Sequence, residues 1–318
     1  MATLPVGAIV VNWNGWRDTV ACLESLLALE DAPARVIVCD NASTDGSVAA
    51  MIDWARRYLH GWAEAGTGFA SPDPARGVQS IDFLRLDANL GYAGGLNAGI
   101  EWARQRWPLQ GFWLLNNDVY AEPGALAALV AAANTVPRAG VCGSVLLEWD
   151  DPAQILAVAG MFRKWLGVGW RTNDLPDEPR DVTFDVDFPV GASMFVRTEY
   201  IDQVGLMDAS YFLYCEEMDW VERGRRRGFI PVVALRSRLR HREGASTGSH
   251  GGARGKSLLS ERYGVINRLR ITRKFWPWFL PIVWISLAAV VIDRLLHREN
   301  ARALLVLRLM ASPSAWLR

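Results

Sequence analysis

Cysteine is scarce in this 318-residue chain: Cys22, Cys39, Cys142 and Cys215 lie far apart and form no C-x-x-C pair. That spacing argues against a thiolate zinc site or a disulfide framework, and makes reducing cytosol the expected compartment. Histidine is equally sparse, and the lysines are Lys164, Lys256 and Lys274 alone, so arginine carries nearly all the positive charge. The first residues, MATLPVGAIVVNWNG, lack the basic start and the apolar core of about 7–15 residues that mark a secretory signal. Common nucleotide and nucleophile motifs are missing too. Gly91, Gly94, Gly95 and Gly99 do not fit G-x-G-x-x-G and follow a late strand, which disfavours a nicotinamide cofactor. Gly255-Lys256-Ser257 has His250 where a phosphate loop needs glycine, and no strand precedes it. Gly191-Ala192-Ser193 begins like a nucleophile elbow but meets Phe195 where the closing glycine belongs.

The composition is that of a folded protein, with 51% apolar residues and no internal repeat. Its formal charge is zero, yet the two ends are opposed. Residues 1–220 hold 14 basic and 29 acidic side chains, and residues 221–318 hold 20 and 5. The C-terminal part therefore expects an anionic partner. No nucleic-acid module accompanies the charge, which leaves a lipid surface and no nucleic acid.

Short apolar runs alternate with helical periodicity through residue 147, the pattern of a parallel sheet wrapped by helices. Strands are expected at Ala8–Asn12, Arg35–Asp40, Ile81–Leu86, Phe112–Leu115 and Val141–Leu147. Asp18 is placed to cap a helix Thr19–Leu29, residues 60–79 read as an exposed insertion loop, and Asn89–Gly99 as a Gly-rich loop. Pro123 is expected in the first turn of the helix after Asn116-Asn117-Asp118. Further on, Asp174–Asp187 reads as a surface loop, Phe188–Val196 as a strand, Glu216–Arg227 as a helix and 244–257 as mobile.

Ligands of open α/β sheets bind at the carboxyl ends of the strands, where three polar clusters fall in succession: Asp40-Asn41, Asn89-x-Gly91 and Asn116-Asn117-Asp118. Any one of them is explained by a turn or a helix cap; three together point to a site. Glu216, Glu217 and Asp219 place three carboxylates in four positions, whose repulsion raises at least one toward the range of a general base. The alternative is an acidic helix start. His241 stands among Arg236, Arg238, Arg240 and Arg242, and a diphosphate with a divalent metal would account for Asp118, His241 and the arginines together.

These motifs stand in one order: Val10-Val-Asn-Trp-Asn14, Asp40-Asn-Ala-Ser43, Asn89-Leu-Gly-Tyr-Ala-Gly-Gly-Leu-Asn97, Leu114-Leu-Asn-Asn-Asp118, Gly191-Ala-Ser-Met194, Phe212-Leu-Tyr-Cys-Glu-Glu-Met-Asp219 and His241-Arg-Glu-Gly-Ala-Ser-Thr247. In that order the chain resembles the family 2 glycosyltransferases of the GT-A fold, in particular their bacterial rhamnosyltransferase-like branch, from Val6 to about Leu269. The resemblance implies an α/β, Rossmann-like fold with a mixed, mainly parallel sheet. Residues 1–255 would be catalytic, with a nucleotide-binding half (1–147) and an acceptor-binding half (148–255). It implies a donor site of Trp13, Asn14, Asp40, Asn41, Asn89, Gly91, Gly95, Asn97 and Asn117. Trp13 would lie against the base, and Asp40 would accept from a pyrimidine N3–H. Asp118 and His241 would hold Mg2+ or Mn2+, and Glu217 would be the base, with Glu216 its rival and Asp219 the following acid. Two departures stand out. The family's D-x-D motif is reduced to Asn116-Asn117-Asp118, and the base is glutamate where aspartate is usual. The reaction implied is inverting transfer from a dTDP- or UDP-sugar, such as dTDP-L-rhamnose, to a glycan or a polyprenyl-diphosphate-linked acceptor.

Residues 256–318 form a basic, apolar helical tail. Phe275–Ile292 is uncharged, but Pro277 and Pro281 leave about 11 clean residues, short of a span. The expectation is an interfacial segment with Trp276, Trp278 and Trp284 near the headgroups, followed by an amphipathic helix over 301–311. Residues 273–318 would thus attach the enzyme peripherally to the cytoplasmic face of the inner membrane, and a homodimer is compatible with this arrangement. Three competing readings remain. A nucleotidyltransferase would need a basic Gly-rich loop after the first strand, and a processive synthase a Q-x-x-R-W motif; the third is a degenerate nucleotide-sugar-binding or scaffold protein.

Overall fold

A computed structural model describes residues 5–73, 77–242, 257–312, 314 and 316. In chain order, β1 (Val6–Asn12), α1 (Trp16–Leu27), β2 (Arg35–Asp40) and α2 (Ser47–Tyr58) precede a hairpin, β3 (Ala63–Ala65) and β4 (Gly68–Ala70). Then come β5 (Ser80–Arg85), α3 (Gly91–Arg104), β6 (Gly111–Asn116), β7 (Val119–Ala121), α4 (Ala125–Thr135) and β8 (Ala139–Glu148). The second half runs β9 (Ile155–Ala157), a ribbon of β10 (Ala159–Arg163) and β11 (Val168–Thr172), β12 (Val182–Thr183), β13 (Ser193–Arg197), α5 (Thr198–Val204), α6 (Glu216–Arg225) and β14 (Ile230–His241). A helical tail closes the chain: α7 (Leu258–Phe275), a 3-10 turn at Pro277–Phe279, α8 (Leu280–Leu296) and α9 (Asn300–Ala311).

The main sheet has the order β12-β14-β8-β13-β6-β1-β2-β5-β4-β3, with β7 on β14 and β9 on β8. Its central block, β6-β1-β2-β5, is parallel, as is β14 on β8, while β13 runs antiparallel between β6 and β8. Both faces of β1 are covered, which is why it reads as an unbroken apolar run. Alternation along it divides the core. Val6, Ala8 and Val10 pack under α1 and α2, and Ile9 and Val11 pack under α3. The strands end together, bringing Asn12, Asp40 and Asn116 to one edge.

Several local expectations are corrected. The stretch 60–79 holds the hairpin β3–β4, which adds to β5 at the sheet edge because buried Phe69 packs edge-on against Phe83. Asn89–Gly99 is not a loop: α3 starts at Gly91. Its glycines serve helix–sheet contact, since a Cβ on Gly95 would press on Val11 at 3.1 Å and one on Gly99 on Ile9 at 2.5 Å. α1 begins at Trp16 with Gly15 at its cap, and Asp18 instead accepts from Arg242 at 2.6 Å. Pro123 precedes the capping Gly124 and lies outside α4. Within 174–187, β12 pairs with β14, and the strand expected from Phe188 starts only at Ser193. The stretch 244–257, except Ser257, lies outside the described residues.

The prolines of the tail do not shorten its apolar helix. Pro277 opens the 3-10 turn and Pro281 sits in the first turn of α8, where its missing N–H costs nothing. Pro277–Leu296 is consequently 20 residues of mean hydropathy 2.0, long and apolar enough to cross a membrane by length and composition. One side of it is used within the protein: Val283, Leu287 and Val291 pack with Leu269 of α7 and Val306 of α9. A buried ion network fastens that packing, with Arg294 at 3.0 Å from Glu261 and 2.7 Å from Glu299, and Arg302 at 2.6 Å from Glu261.

Candidate active site

The donor-side edge is a closed hydrogen-bond network. Asp40 is buried, taking one bond from Asn12 Nδ2 at 2.8 Å and one from the Ser43 backbone N–H at 3.0 Å. Asn12 Oδ1 accepts from Thr19 Oγ1 at 2.8 Å, and Asn14, in the left-handed region at φ 53°, holds Thr44 N–H at 2.8 Å. Asn41 bridges to the next strand end, donating to Gly91 O and accepting from Leu90 N–H, both at 2.9 Å. Asn89 accepts from Gly91 N–H at 2.9 Å and so turns the chain into α3. Trp13 follows directly at the end of β1, half-buried.

Beside Asp40 opens a cavity of about 240 Å3 lined by Met51, Ile52, Phe69, Phe83 and Arg85. A larger, shallow depression of about 440 Å3 lies between Leu109, Gln110 and Arg197. It is at the amino ends of the strands and touches none of the polar clusters.

Two residues of the expected donor set turn inward. Asn117 Nδ2 donates to Gly15 O and Thr19 Oγ1, both at 3.1 Å, stapling α1 to the end of β6. Asn97 clasps Met207, donating to its carbonyl at 2.8 Å and accepting from its N–H at 3.2 Å. Gly95 in turn is packed on Val11, so all three are engaged within the protein.

At the next strand end, Asp118 Oδ1 lies 3.2 Å from His241 Nε2, both side chains being buried. β14 brings the histidine there by pairing His241 with Val119. Burial alone would raise the Asp118 carboxyl, but the imidazole, its own backbone N–H and Asn116 hold it below the usual value. Asp118 Oδ1 and His241 Nδ1 are buried polar atoms with no well-formed hydrogen bond among the described residues. A carboxylate oxygen beside an imidazole, both unsatisfied, is a donor set that suits Mn2+ or Mg2+. Among the described residues no group of three or more His, Cys, Asp or Glu gathers, so an ion held here would need phosphates and water to complete its shell.

The acid cluster is built differently. Tyr214 and Cys215 both adopt φ 71°, a strained conformation for residues with side chains, and Cys215 begins α6 without a side-chain cap. Asn267 of α7, fully buried, holds that turn by donating to Leu213 O at 2.8 Å and Tyr214 O at 3.0 Å. The three acids then diverge. Asp219 is inaccessible and ion-paired, 2.7 Å from Arg223 and 2.5 Å from Lys274, so it fastens α6 to the tail. Glu216 and Glu217 are both raised above the ordinary glutamate value by burial, Glu216 further by the charge of Glu217, while N–H groups of Glu217 and Gly191 and the charge of Arg171 restrain Glu217. Glu216 Oε2 is buried with no hydrogen bond among the described residues. Glu217 lies against Gly191, where any side chain would displace its carboxylate.

Tyr92 ties these parts together. Its hydroxyl donates to Gly191 O, and burial together with Glu217, Glu216 and Asp118 keeps it protonated well above the usual range. Ala192 O in turn accepts from Asn116 N–H at 3.1 Å, so Glu217, lying against Gly191, stands close to the strand end that carries Asp118. Neither Tyr92 nor Asn267 was identifiable as a site residue from the sequence. Tyr92 lies inside the Asn89–Asn97 motif, a weak signal in its favour; Asn267 carried none.

Residues 8–204 match the model of the glycosyl transferase family 2. The chain belongs to that family. Among curated proteins it is similar to the N-acetylglucosaminyl-diphospho-decaprenol L-rhamnosyltransferase of Mycobacterium tuberculosis, 28% identical over 285 residues, covering 82% of this chain and 85% of that one. Among solved structures it resembles GalNAc-T7 with UDP, GalNAc and Mn2+, with a TM-score of 0.61, 15% identity, and coverage of 89% of this chain and 50% of the other. It also resembles the mannosyltransferase PcManGT of Pyrobaculum calidifontis in complex with GDP-Man and Mn2+, with a TM-score of 0.54, 16% identity, and coverage of 100% and 88%. This family 2 glycosyltransferase thus has the mixed sheet flanked by helices that its motifs imply, and one of the curated proteins it is similar to is a rhamnosyltransferase.

Proposed function

We propose that this protein is an inverting glycosyltransferase moving a sugar, L-rhamnose or a hexose, from a dTDP- or UDP-linked donor to a polyprenyl-diphosphate-linked glycan. The observation that carries this reading is that Glu217 lies against Gly191 while the next residue, Ala192, is hydrogen-bonded to Asn116 at the strand end that carries Asp118. A base and a diphosphate-binding carboxylate close together are what displacement at an anomeric carbon requires. The acceptor class is the one named in the mycobacterial relative.

Asp40, fixed by Asn12 and Ser43, receives the pyrimidine N3–H, with Trp13 against the base and Asn41, Asn89 and Gly91 shaping the ribose and diphosphate path. Asp118 and His241 hold the divalent ion, which when bound neutralises charge on the leaving diphosphate. Glu217 takes the proton of the acceptor hydroxyl as that oxygen attacks the anomeric carbon on the face opposite the diphosphate. Burial suits it to this work, because a raised carboxylate is a stronger base near neutral pH. Glu216, whose charged form is disfavoured by burial and by Glu217, leaves Glu217 to carry the charge, and Asp219 positions α6.

The reaction takes place at the cytoplasmic face of the membrane, a reading that the apolar surface of the tail supports. One side of α8 is committed to α7 and α9, while Trp278, Ile282, Trp284, Ile285, Ile292 and Leu296 are exposed on its other side and on the preceding turn. A helix half in protein and half apolar lies in the interface, and withdrawing it to span would break the buried Arg294–Glu261 pair.

Calorimetric titration with dTDP, UDP and GDP, each with and without Mn2+ or Mg2+, tests the donor site. Metal-dependent binding of dTDP or UDP is expected. A folded protein that binds none of the three would overturn the reading in favour of a degenerate scaffold.

A further inference from the structure

The β10–β11 ribbon contributes Arg171 beside the acid cluster but otherwise has no part in the site described above. It is a two-stranded sheet of its own, and such ribbons are marginal unless something holds them. Here both ends are held. At the root, Gly160 exchanges backbone hydrogen bonds with Phe188 at 2.8 and 3.1 Å; farther along, buried Phe162 joins a cluster with Tyr211 and Met218, the latter next to Glu217, and Phe162 N–H donates to Asp187 at 2.6 Å. At the tip, Leu166 O accepts from Arg268 Nε of α7 at 2.7 Å, and the same guanidinium reaches Ser286 of α8. The ribbon therefore runs from the candidate base to the foot of the apolar helix.

Its register sorts the side chains by face. Gly160 pairs with Arg171 and Phe162 with Gly169, so Arg171 shares the inward face with buried Phe162. Met161 pairs with Trp170 and Arg163 with Val168, so Arg163 and Trp170 share the outward face. Arg163 lies 5.7 Å from the Trp165 ring and 5.3 Å from that of Trp170, and Lys164 lies 5.4 Å from that of Trp276. Trp165 and Trp170 are 47% and 45% exposed, an unusual outlay of indole on one small ribbon. Cations interleaved with half-exposed indoles match a surface where lipid ends and phosphate begins. Three register steps separate Arg171 from the tip, about 10 Å, enough to reach from a headgroup to the base.

We propose that this ribbon is the acceptor-binding arm of the enzyme. Arg171 at its root contacts the diphosphate of the lipid-linked acceptor, Arg163 and Lys164 guide that diphosphate in from the bilayer, and Trp165 and Trp170 seat the arm at the membrane surface. The inference rests on the glycosyltransferase reading given above and adds the residues that recognise the acceptor's lipid-side group. Arg171 thereby selects acceptors carrying a diphosphate over those with a neutral linkage.

The test uses the full chain in flotation with two phosphatidylcholine vesicle populations of equal surface charge, one containing undecaprenyl diphosphate and the other phosphatidylglycerol. The wild type should bind the first about tenfold more tightly, the worth of one charge-assisted contact. Arg171→Gln should abolish that preference and leave phosphatidylglycerol binding intact, and Arg171→Lys should retain much of it. Joint replacement Trp165→Ala and Trp170→Ala should weaken binding to both populations. Titration with dTDP or UDP should give wild-type affinity in every variant, which shows that the donor half is folded. No preference in the wild type, or a preference that survives Arg171→Gln, would overturn the proposal. Failure of the wild type to transfer sugar from any nucleoside-diphosphate donor would instead remove the reading on which it rests.

Discussion

The two sides of the site solve opposite problems. At the strand ends on the donor side Asp40 has two donors, Asn41 bridges two backbone groups, and Asn117 is consumed between α1 and β6. On the acid side Glu216 Oε2 has no hydrogen bond among the described residues, two consecutive residues sit at φ 71°, and both glutamates are raised by burial. A satisfied network fixes the shape of a binding pocket, whereas an unsatisfied one keeps a carboxylate reactive at a cost in stability. The contrast teaches that in this fold recognition and reactivity are built from the same residue types and differ in how completely they are partnered.

The largest effect expected from breaking this contrast is on turnover. Glu217→Gln should lower kcat by roughly 10²–10⁴-fold, the usual share of a general base, with donor affinity retained in calorimetry. Near-normal turnover would move the role to Glu216. In the wild type the acidic limb of the pH–rate profile should lie above the ordinary glutamate value of 4.5, because burial raises Glu217 and the base works only when deprotonated.

Next in size is the latch between acid cluster and tail. Lys274→Met strands Asp219, which is wholly buried, with Arg223 alone, and should cost about 1–3 kcal/mol in denaturant unfolding. The same Lys274 and the Ser210 hydroxyl overcome burial to hold the Asp208 carboxyl near 2, so the variant should also lose its dependence on that acid. An unchanged midpoint would show that α7 does not depend on this contact.

On the donor side, Asp40→Asn replaces an acceptor by a donor at one point of the network, and should weaken dTDP and UDP binding by about tenfold. Equal affinity for both nucleotides in this variant and the wild type would remove Asp40 from base recognition.

The smallest effect has the opposite sign. Burial and Glu217 raise Glu216 in the folded state, so the folded chain binds that proton more tightly than the unfolded chain does. Glu216 therefore lowers stability as pH rises above the unfolded glutamate value, and costs nothing below it. Glu216→Gln should raise the melting temperature at pH 7.5 by about 1–3 °C, with the gain vanishing toward pH 4. A gain that persists in acid would mean that packing, not charge, is relieved.

The central strands were legible because buried parallel strands leave unbroken apolar runs, as in Arg35–Asp40, whose bounds the structure reproduces. Helix starts were less so. Asp18 carries the chemistry of a cap, but Arg242, 224 positions away in the chain, engages it instead. The glycines of 91–99 read as a loop because nothing local reveals that Ile9, Val11 and Cys39 press against them.

The sequence by itself determined the family, the order of the motifs and the residue types gathered at the strand ends, because these follow from local spacing and from the period of the apolar runs. Only the tertiary structure decided which of those polar groups remain available. Asn97 is occupied by Met207, 110 positions on, and Asp219 by Lys274, while Glu217 has room at Gly191 and Asp118 keeps an unsatisfied oxygen beside His241. The physical reason is that hydrogen-bond and ion-pair partners are supplied by distant elements. A carboxylate's burial, charge and reactivity are set by what packs against it, not by its neighbours in the chain.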